Sequence, residues 1–287
     1  MLAPELLAAM ASGCWAVVAL FSANASNSMG AFAFTRWRLF FAMCMLWMAA
    51  FYVGRWPELT LENIAWLSVS SWVGILVGDT ALFVCMNRLG PRRSGVLFAT
   101  HALFSALFAW LFLGETLWGM TLMGSGVLVS GVMVAIVWGR RGEETHAWEN
   151  TQGTLWMGVA MGLLAAVGQA VATLMIKPLM STGIDAVAAS AVRATASFVA
   201  HLLLLWAGLG LAKLANPLDW KTLLNTALSA GISMVIGMTL ILQALKTGQA
   251  NLVAIFSSIA PVLLLPLLWA VYRRQPAAGA WWGGAMT

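Results

Sequence analysis

Charge is what this chain has least of. Only 9% of its 287 residues are Asp, Glu, Lys or Arg, against about 25% in soluble domains. That shortage excludes a water-soluble fold, which could not cover its surface with so few charges. Long polar stretches are missing too: the longest, GRRGEETHAWENTQ, runs only from Gly139 to Gln152. Cysteine is scarce. Cys14, Cys44 and Cys85 are an odd number, sit inside apolar runs and lack metal-ligand spacing. They read as small core residues, and no metal site is expected. No HExxH, GxSxG, P-loop or pair of catalytic carboxylates occurs, so neither an enzyme nor a cofactor is expected. The net charge of +5 comes without a basic patch interleaved with aromatics, so nucleic acid is not an expected partner.

What is present is apolar sequence. Hydrophobic residues make up 61% of the chain and fall into about ten runs close to the roughly 20 residues a helix needs to span a bilayer. The runs do not alternate apolar and polar residues, which excludes a transmembrane β-barrel. The expectation is an all-α polytopic membrane protein with spans at about 4–22, 31–53, 64–86, 93–113, 118–138, 153–176, 184–209, 220–245, 250–271 and from 277 onward. The first run lacks a basic leader and reads as a span, not a cleaved signal. The last, AAGAWWGGAMT, covers about half a span and resembles the beginning of the fifth (TLWGMTLMGSG). The tenth helix is therefore expected to be truncated in this sequence.

Lys and Arg set the orientation. Alternate connections carry Arg36 and Arg38; Arg88, Arg92 and Arg93; Arg140 and Arg141; Lys213 and Lys221; and Arg273 and Arg274. The other set carries only Arg55, Lys177 and Lys246. The first set is expected in the cytoplasm, with both termini on the non-cytoplasmic side.

The stretch Gly78 to Glu115 has a degraded copy at Gly237 to Arg273. Gly78, Thr80, Gly90, Phe98 and Ala102 correspond to Gly237, Thr239, Gly248, Phe256 and Ala260, and Arg38 to Arg193. The spacings predict duplication of a five-helix unit: residues 1–138, a linker at 139–152, and residues 153–287. An odd number of spans per unit inverts one copy against the other. Inverted repeats are the signature of secondary transporters, whose site lies near the midplane between the halves.

Several residues are candidates for that site. Asp79 is the only acid well inside a span, and Arg38 and His101 lie at similar depth. Charged residues at such depth are functional candidates by default. Either Asp79 titrates with Arg38 and His101 as helpers, or Asp79 and Arg38 form a structural ion pair. In the second half Met238 takes the place of Asp79, so Arg193 is expected to stand alone and to meet carbonyls, water or a substrate carboxylate. His201, on the same helix, reads as a helix–helix contact. Gln169, Ser233, Gln243, Ser257 and Ser258 are uncharged candidates. Pro261 and Pro266 are candidate hinges that free a carbonyl. Trp15 and Trp72 are candidate cavity walls for an aromatic substrate, whereas Trp56, Trp66, Trp118, Trp138, Trp156 and Trp220 sit at span ends as interfacial belts. Gly74-x-x-x-Gly78 and Gly158-x-x-x-Gly162 allow close helix contact.

Ten spans in two halves, the Arg38-x-x-x-Ala42 early in the second span, and a Gly-x-x-x-Ala/Ser hairpin closing on Leu113-Gly114-Glu115 resemble the EamA branch of the drug/metabolite transporter superfamily. The Trp-rich chain and the segment GDTALFVCMNRLGP look most like the YddG-type aromatic and hydrophobic amino-acid exporters of bacteria. The second copy departs from that pattern, with Val271-Tyr272-Arg273 where the first ends on Leu-Gly-Glu. The resemblance implies a multi-pass protein of the bacterial inner membrane that exports small amphipathic metabolites, aromatic or hydrophobic amino acids first, by alternating access. The bilayer and a small-molecule substrate are the expected partners, and the sequence leaves the oligomeric state open, a monomer being compatible with this design. Exporters of lipophilic or quaternary-ammonium drugs are the alternative among transporters, and a membrane-embedded lipid-modifying enzyme is the alternative from another class.

Overall fold

A computed structural model describes residues 2–53, 56, 59–114, 119, 124, 127 and 154–272. Apart from residues 119, 124 and 127, the predicted fifth span lies outside the described residues, as do the 139–152 linker, the tenth span and Glu115. Every regular element among the described residues is helical. The helices are α1 (Pro4–Met29), α2 (Ala31–Val53), α3 (Leu61–Ser71), α4 (Thr80–Ala99), α5 (His101–Leu113), α6 (Leu155–Ser181), α7 (Ala186–Trp206), α8 (Trp220–Ser229), α9 (Thr239–Thr247), α10 (Ala250–Ser257) and α11 (Ala260–Tyr272). Two π-helical segments, Trp72–Asp79 and Ala230–Met238, join α3 to α4 and α8 to α9.

Among the described residues, seven helical stretches are long and apolar enough to cross a membrane. One of them, Leu61–Leu113, has 53 residues, about 80 Å of helix at 1.5 Å per residue and far more than one crossing of a roughly 30 Å core. It turns at Gly90, where φ is +81°, a left-handed conformation that favours glycine. The predicted basic hairpin is thus a turn of a few residues with Pro91 starting the next helical stretch. Predicted span limits hold within a few residues except at α1, which runs on to Met29.

The bundle is inside-out relative to a soluble protein. Its interior is dominated by Ala, with Ala8, Ala11, Ala33, Ala42, Ala165 and Ala170 fully buried. Phe51, Phe112, Trp156 and Trp206 face outward. Lipid tails are as apolar as Leu, so helices associate through close approach of small residues and through polar contacts, not through the hydrophobic effect. Both predicted glycine pairs serve this. A Cβ at Gly74 would lie 2.6 Å from Ala172 Cβ, and one at Gly162 2.9 Å from Leu97 Cβ. Trp66, Trp156 and Trp220 are exposed, as expected of belts. Cys85 is buried, Cys14 half-buried and Cys44 exposed. Cys44 therefore lies on the outer surface of α2 and is not the core residue its apolar surroundings suggested.

The packing repeats itself. α1 packs on α8, α9, α10, α11 and the second π segment, and α6 packs on α3, α4, α5 and the first. α5 meets α10, and α4 meets α11. α2 and α7 pack against each other across the middle.

Candidate functional site

The duplicated elements converge on a central cavity of about 110 Å³. It is lined from α1, α2, α4, α6, both π segments, α10 and α11. A π-helix shifts backbone bonding from i−4 to i−5, and such segments recur at functional sites. Here Asp79 is the last residue of the first π segment and Met238 the last of the second. Both line the cavity.

Arg38 donates to the Asp79 carboxylate. Its guanidinium also stands 4.6 Å from the centroid of Phe83 and 5.9 Å from that of Phe34, a cation–π arrangement that holds it without further charges. The pair is nearly enclosed, with 5% and 14% of the two side chains exposed. Trp15 reaches across from α1, and its Nε1 donates to Ser233 O at 3.4 Å. Gly237 makes room for it, since a Cβ there would lie 3.0 Å from Trp15 Nε1. Trp15 meets Phe98 edge-on at 6.5 Å.

Among the described lining serines, Ser22 Oγ pairs with Ser229 Oγ at 2.9 Å, and the others direct their protons to the backbone. Ser94 donates to Gly90 O, Ser233 to Ser229 O, Ser257 to Ala254 O and Ser258 to Ile255 O. A hydroxyl so committed keeps acceptor lone pairs. With Asp79 added, the lining offers acceptors in excess of donors. Beside the Trp15 indole, which is committed to Ser233 O, and Ser22, which pairs with Ser229, Arg38 and the Gln169 amide are the described side-chain donors that balance them.

Of the sequence candidates, Trp15, Arg38, Asp79, Gln169, Ser233, Ser257, Ser258 and Pro261 line this cavity. The others do not. Trp72 is 44% exposed, and its Nε1 donates to Ala196 O. His101 lies one layer back, its ring 5.1 Å from Phe98. Gln243 is half-buried on α9, and Pro266 is exposed on α11; the break in the ninth span falls at Ser258–Ile259, just before Pro261. Arg193 does not stand alone: it is fully buried and donates to Ser70 Oγ at 2.7 Å, across the α3–α7 contact. A Cβ at Gly74 would come within 3.5 Å of its Nη2 and 3.8 Å of Gln169 Oε1, which places Arg193 beside the cavity wall. His201 contacts Thr80 Oγ1 at 3.3 Å and the Phe32 ring, the helix–helix role expected of it.

The sequence reading missed Phe83, Met86, Phe98 and Met234 as lining residues. One signal was available for Phe83. It follows Asp79 by four residues, which puts the ring on the same helical face as the carboxylate.

Comparison with known proteins fits this architecture. A solved structure described only as "Crystal structure of protein" superposes with a TM-score of 0.72 at 18% identity, over 99% of this chain and 93% of the other. At that identity the likeness concerns the fold. No curated protein matches the chain. The model of the EamA-like transporter family matches twice, over residues 2–137 and 156–287. Its members are membrane transporters of the drug/metabolite transporter superfamily, not enzymes. The two matches take in both sides of the cavity, and the chain belongs to the EamA-like transporter family.

Proposed function

We propose that the protein is a secondary transporter that exports small amphipathic solutes, aromatic or hydrophobic amino acids foremost, across the bacterial inner membrane. Ten spans in two inverted halves, 1–138 and 153–287, rock about the central cavity, with both termini outside the cytoplasm. The observation that carries this reading is the cavity itself. It is built from matching elements of both halves and is mostly apolar, with one Arg–Asp pair on its wall. Apolar pockets with a few placed polar groups suit a bulky side chain on a polar head. The serine acceptors and Asp79 suit an ammonium group; Arg38 and Gln169 suit a carboxylate.

The excess of acceptors also favours a second reading, export of lipophilic cations. Uptake of radiolabelled amino acids and of their decarboxylated amines into proteoliposomes, with and without a pH gradient, separates the two. Competition by tryptophan and phenylalanine but not by tryptamine and phenethylamine is expected. Equal competition by the amines moves the assignment to cations, and transport of neither class refutes both.

A further inference from the structure

A second and larger cleft opens on the outside of the bundle. Its size is about 870 Å³, and it lies between the start of α2, the first π segment with α4, the start of α6, the end of α7 and the 210–215 connection. Its walls are apolar, from Leu76, Val77, Val84, Met161 and Leu164. Several of them are open to the surroundings, Val77 and Leu164 being 44% and 42% exposed.

Two cations line the same cleft, Arg88 and Lys213. Arg88 stands two residues before the turn at Gly90, and Lys213 lies in the connection between α7 and α8. Both positions are span ends, at the level of the membrane–water boundary. Leu76 lies twelve residues earlier along the helix than Arg88, about 18 Å deeper at 1.5 Å per residue. The cleft therefore combines positive charge at the boundary with an apolar channel running toward the bilayer centre. Among the described residues neither cation has a carboxylate partner; the described ion pair is Arg38–Asp79. Asn87, beside Arg88, donates to Ser26 O, which fixes the helix end that carries Arg88.

We propose that this cleft is a binding site for an anionic phospholipid. The phosphate meets Arg88 and Lys213, and an acyl chain lies along Val84, Val77 and Leu76. A free anion would satisfy the cations but leave the channel unfilled, and a zwitterionic lipid would fill the channel but cancel the charge. Basic clefts between helices near the lipid headgroups hold anionic lipids on these grounds.

The test is native mass spectrometry of the purified full-length chain with phosphatidylglycerol or phosphatidylcholine added to the detergent. The wild type is expected to retain phosphatidylglycerol selectively. Arg88→Gln and Lys213→Gln should each weaken retention about fivefold, and the pair roughly thirtyfold, at the strength of one surface cation each. Lys221→Gln, a cation outside the cleft, should leave it unchanged. Thermal stability is read in parallel, so that a misfolded variant is recognised, and added phosphatidylglycerol should raise the Tm of the wild type but not of the double variant. Equal retention by the double variant overturns the proposal, as does equal retention of phosphatidylcholine. Displacement by millimolar inorganic phosphate makes the cleft a free-anion site instead. Retention that appears only after Glu143, Glu144 and Glu149 are changed to Gln assigns the cleft to the acidic linker and likewise overturns it.

Discussion

Asp79 pairs with Arg38 on the wall of the cavity, so its two possible roles leave different marks. Asp79→Asn keeps the shape and a hydrogen bond to Arg38 while removing the charge. If the carboxylate binds the substrate ammonium or carries a proton, transport in proteoliposomes falls by an order of magnitude or more while the Tm holds; unchanged transport reduces the pair to packing. The pair's structural share is read separately. Arg38→Met alone leaves a buried carboxylate unpaired and should cost about 3–5 kcal/mol, whereas Arg38→Met with Asp79→Leu removes both charges and should recover most of it. A double variant no more stable than the single in thermal denaturation would show that the unpaired carboxylate carries no such cost. Arg38 and Asp79 were legible as a pair because charge is so rare here that any at mid-span depth stands out. Trp15 and Trp72 were not separable by the same logic. Sixteen tryptophans dilute the signal, and only the facing direction of each helix tells a wall from a lipid contact.

Elements show where helix packing is set by what is absent. At Gly162 a Cβ would fall 2.9 Å from Leu97 Cβ, whereas at Gly13 it would meet nothing within 4 Å. Gly162→Ala is therefore expected to overpack the α4–α6 contact and lower stability by about 1–3 kcal/mol. Gly13→Ala, in an open stretch of α1, should be neutral or stabilising by roughly 0.5–1 kcal/mol from helix propensity alone. Tm values for the two, measured in the same detergent, check the contrast; equal shifts would remove the packing argument. The glycine pairs could be read from spacing because close approach leaves a periodic trace. The π segments could not. Nothing in WVGILVGD or AGISMVIGM distinguishes a wider helical turn from an ordinary one, since tertiary contacts with α6 and α1 decide it. Likewise the breaks at Thr100 and at Ser258–Ile259 carry no glycine, and only Pro261 announces the second.

At the scale of the whole molecule, the two halves are alike in sequence but unlike in packing. Ile241, Leu245 and Val253 belong to a closed apolar cluster with Leu7, Ala11, Ile176 and Met180. Their counterparts in the first half, by the same spacing that matches Thr239 to Thr80 and Gly248 to Gly90, are Leu82, Met86 and Gly95. Those three line the open cavity. One end of the bundle is thus sealed by the residues whose repeat mates gape at the other. On the proposed rocking mechanism, each half of an inverted repeat adopts its partner's conformation, and exchange of the two arrangements would convert this state into one open at the opposite end. Leu82, Met86 and Gly95 would then pack while Ile241, Leu245 and Val253 open. In a background lacking Cys14, Cys44 and Cys85, Gly95→Cys should react quickly with a small maleimide and Val253→Cys slowly. A Cβ at Gly95 fits, with Pro261 Cγ at 3.9 Å. Turnover with substrate on one side should slow the first and speed the second in proportion. Reactivities that rise together would mean general loosening, and reactivities that do not move would mean a fixed bundle; either result removes rocking exchange as the mechanism.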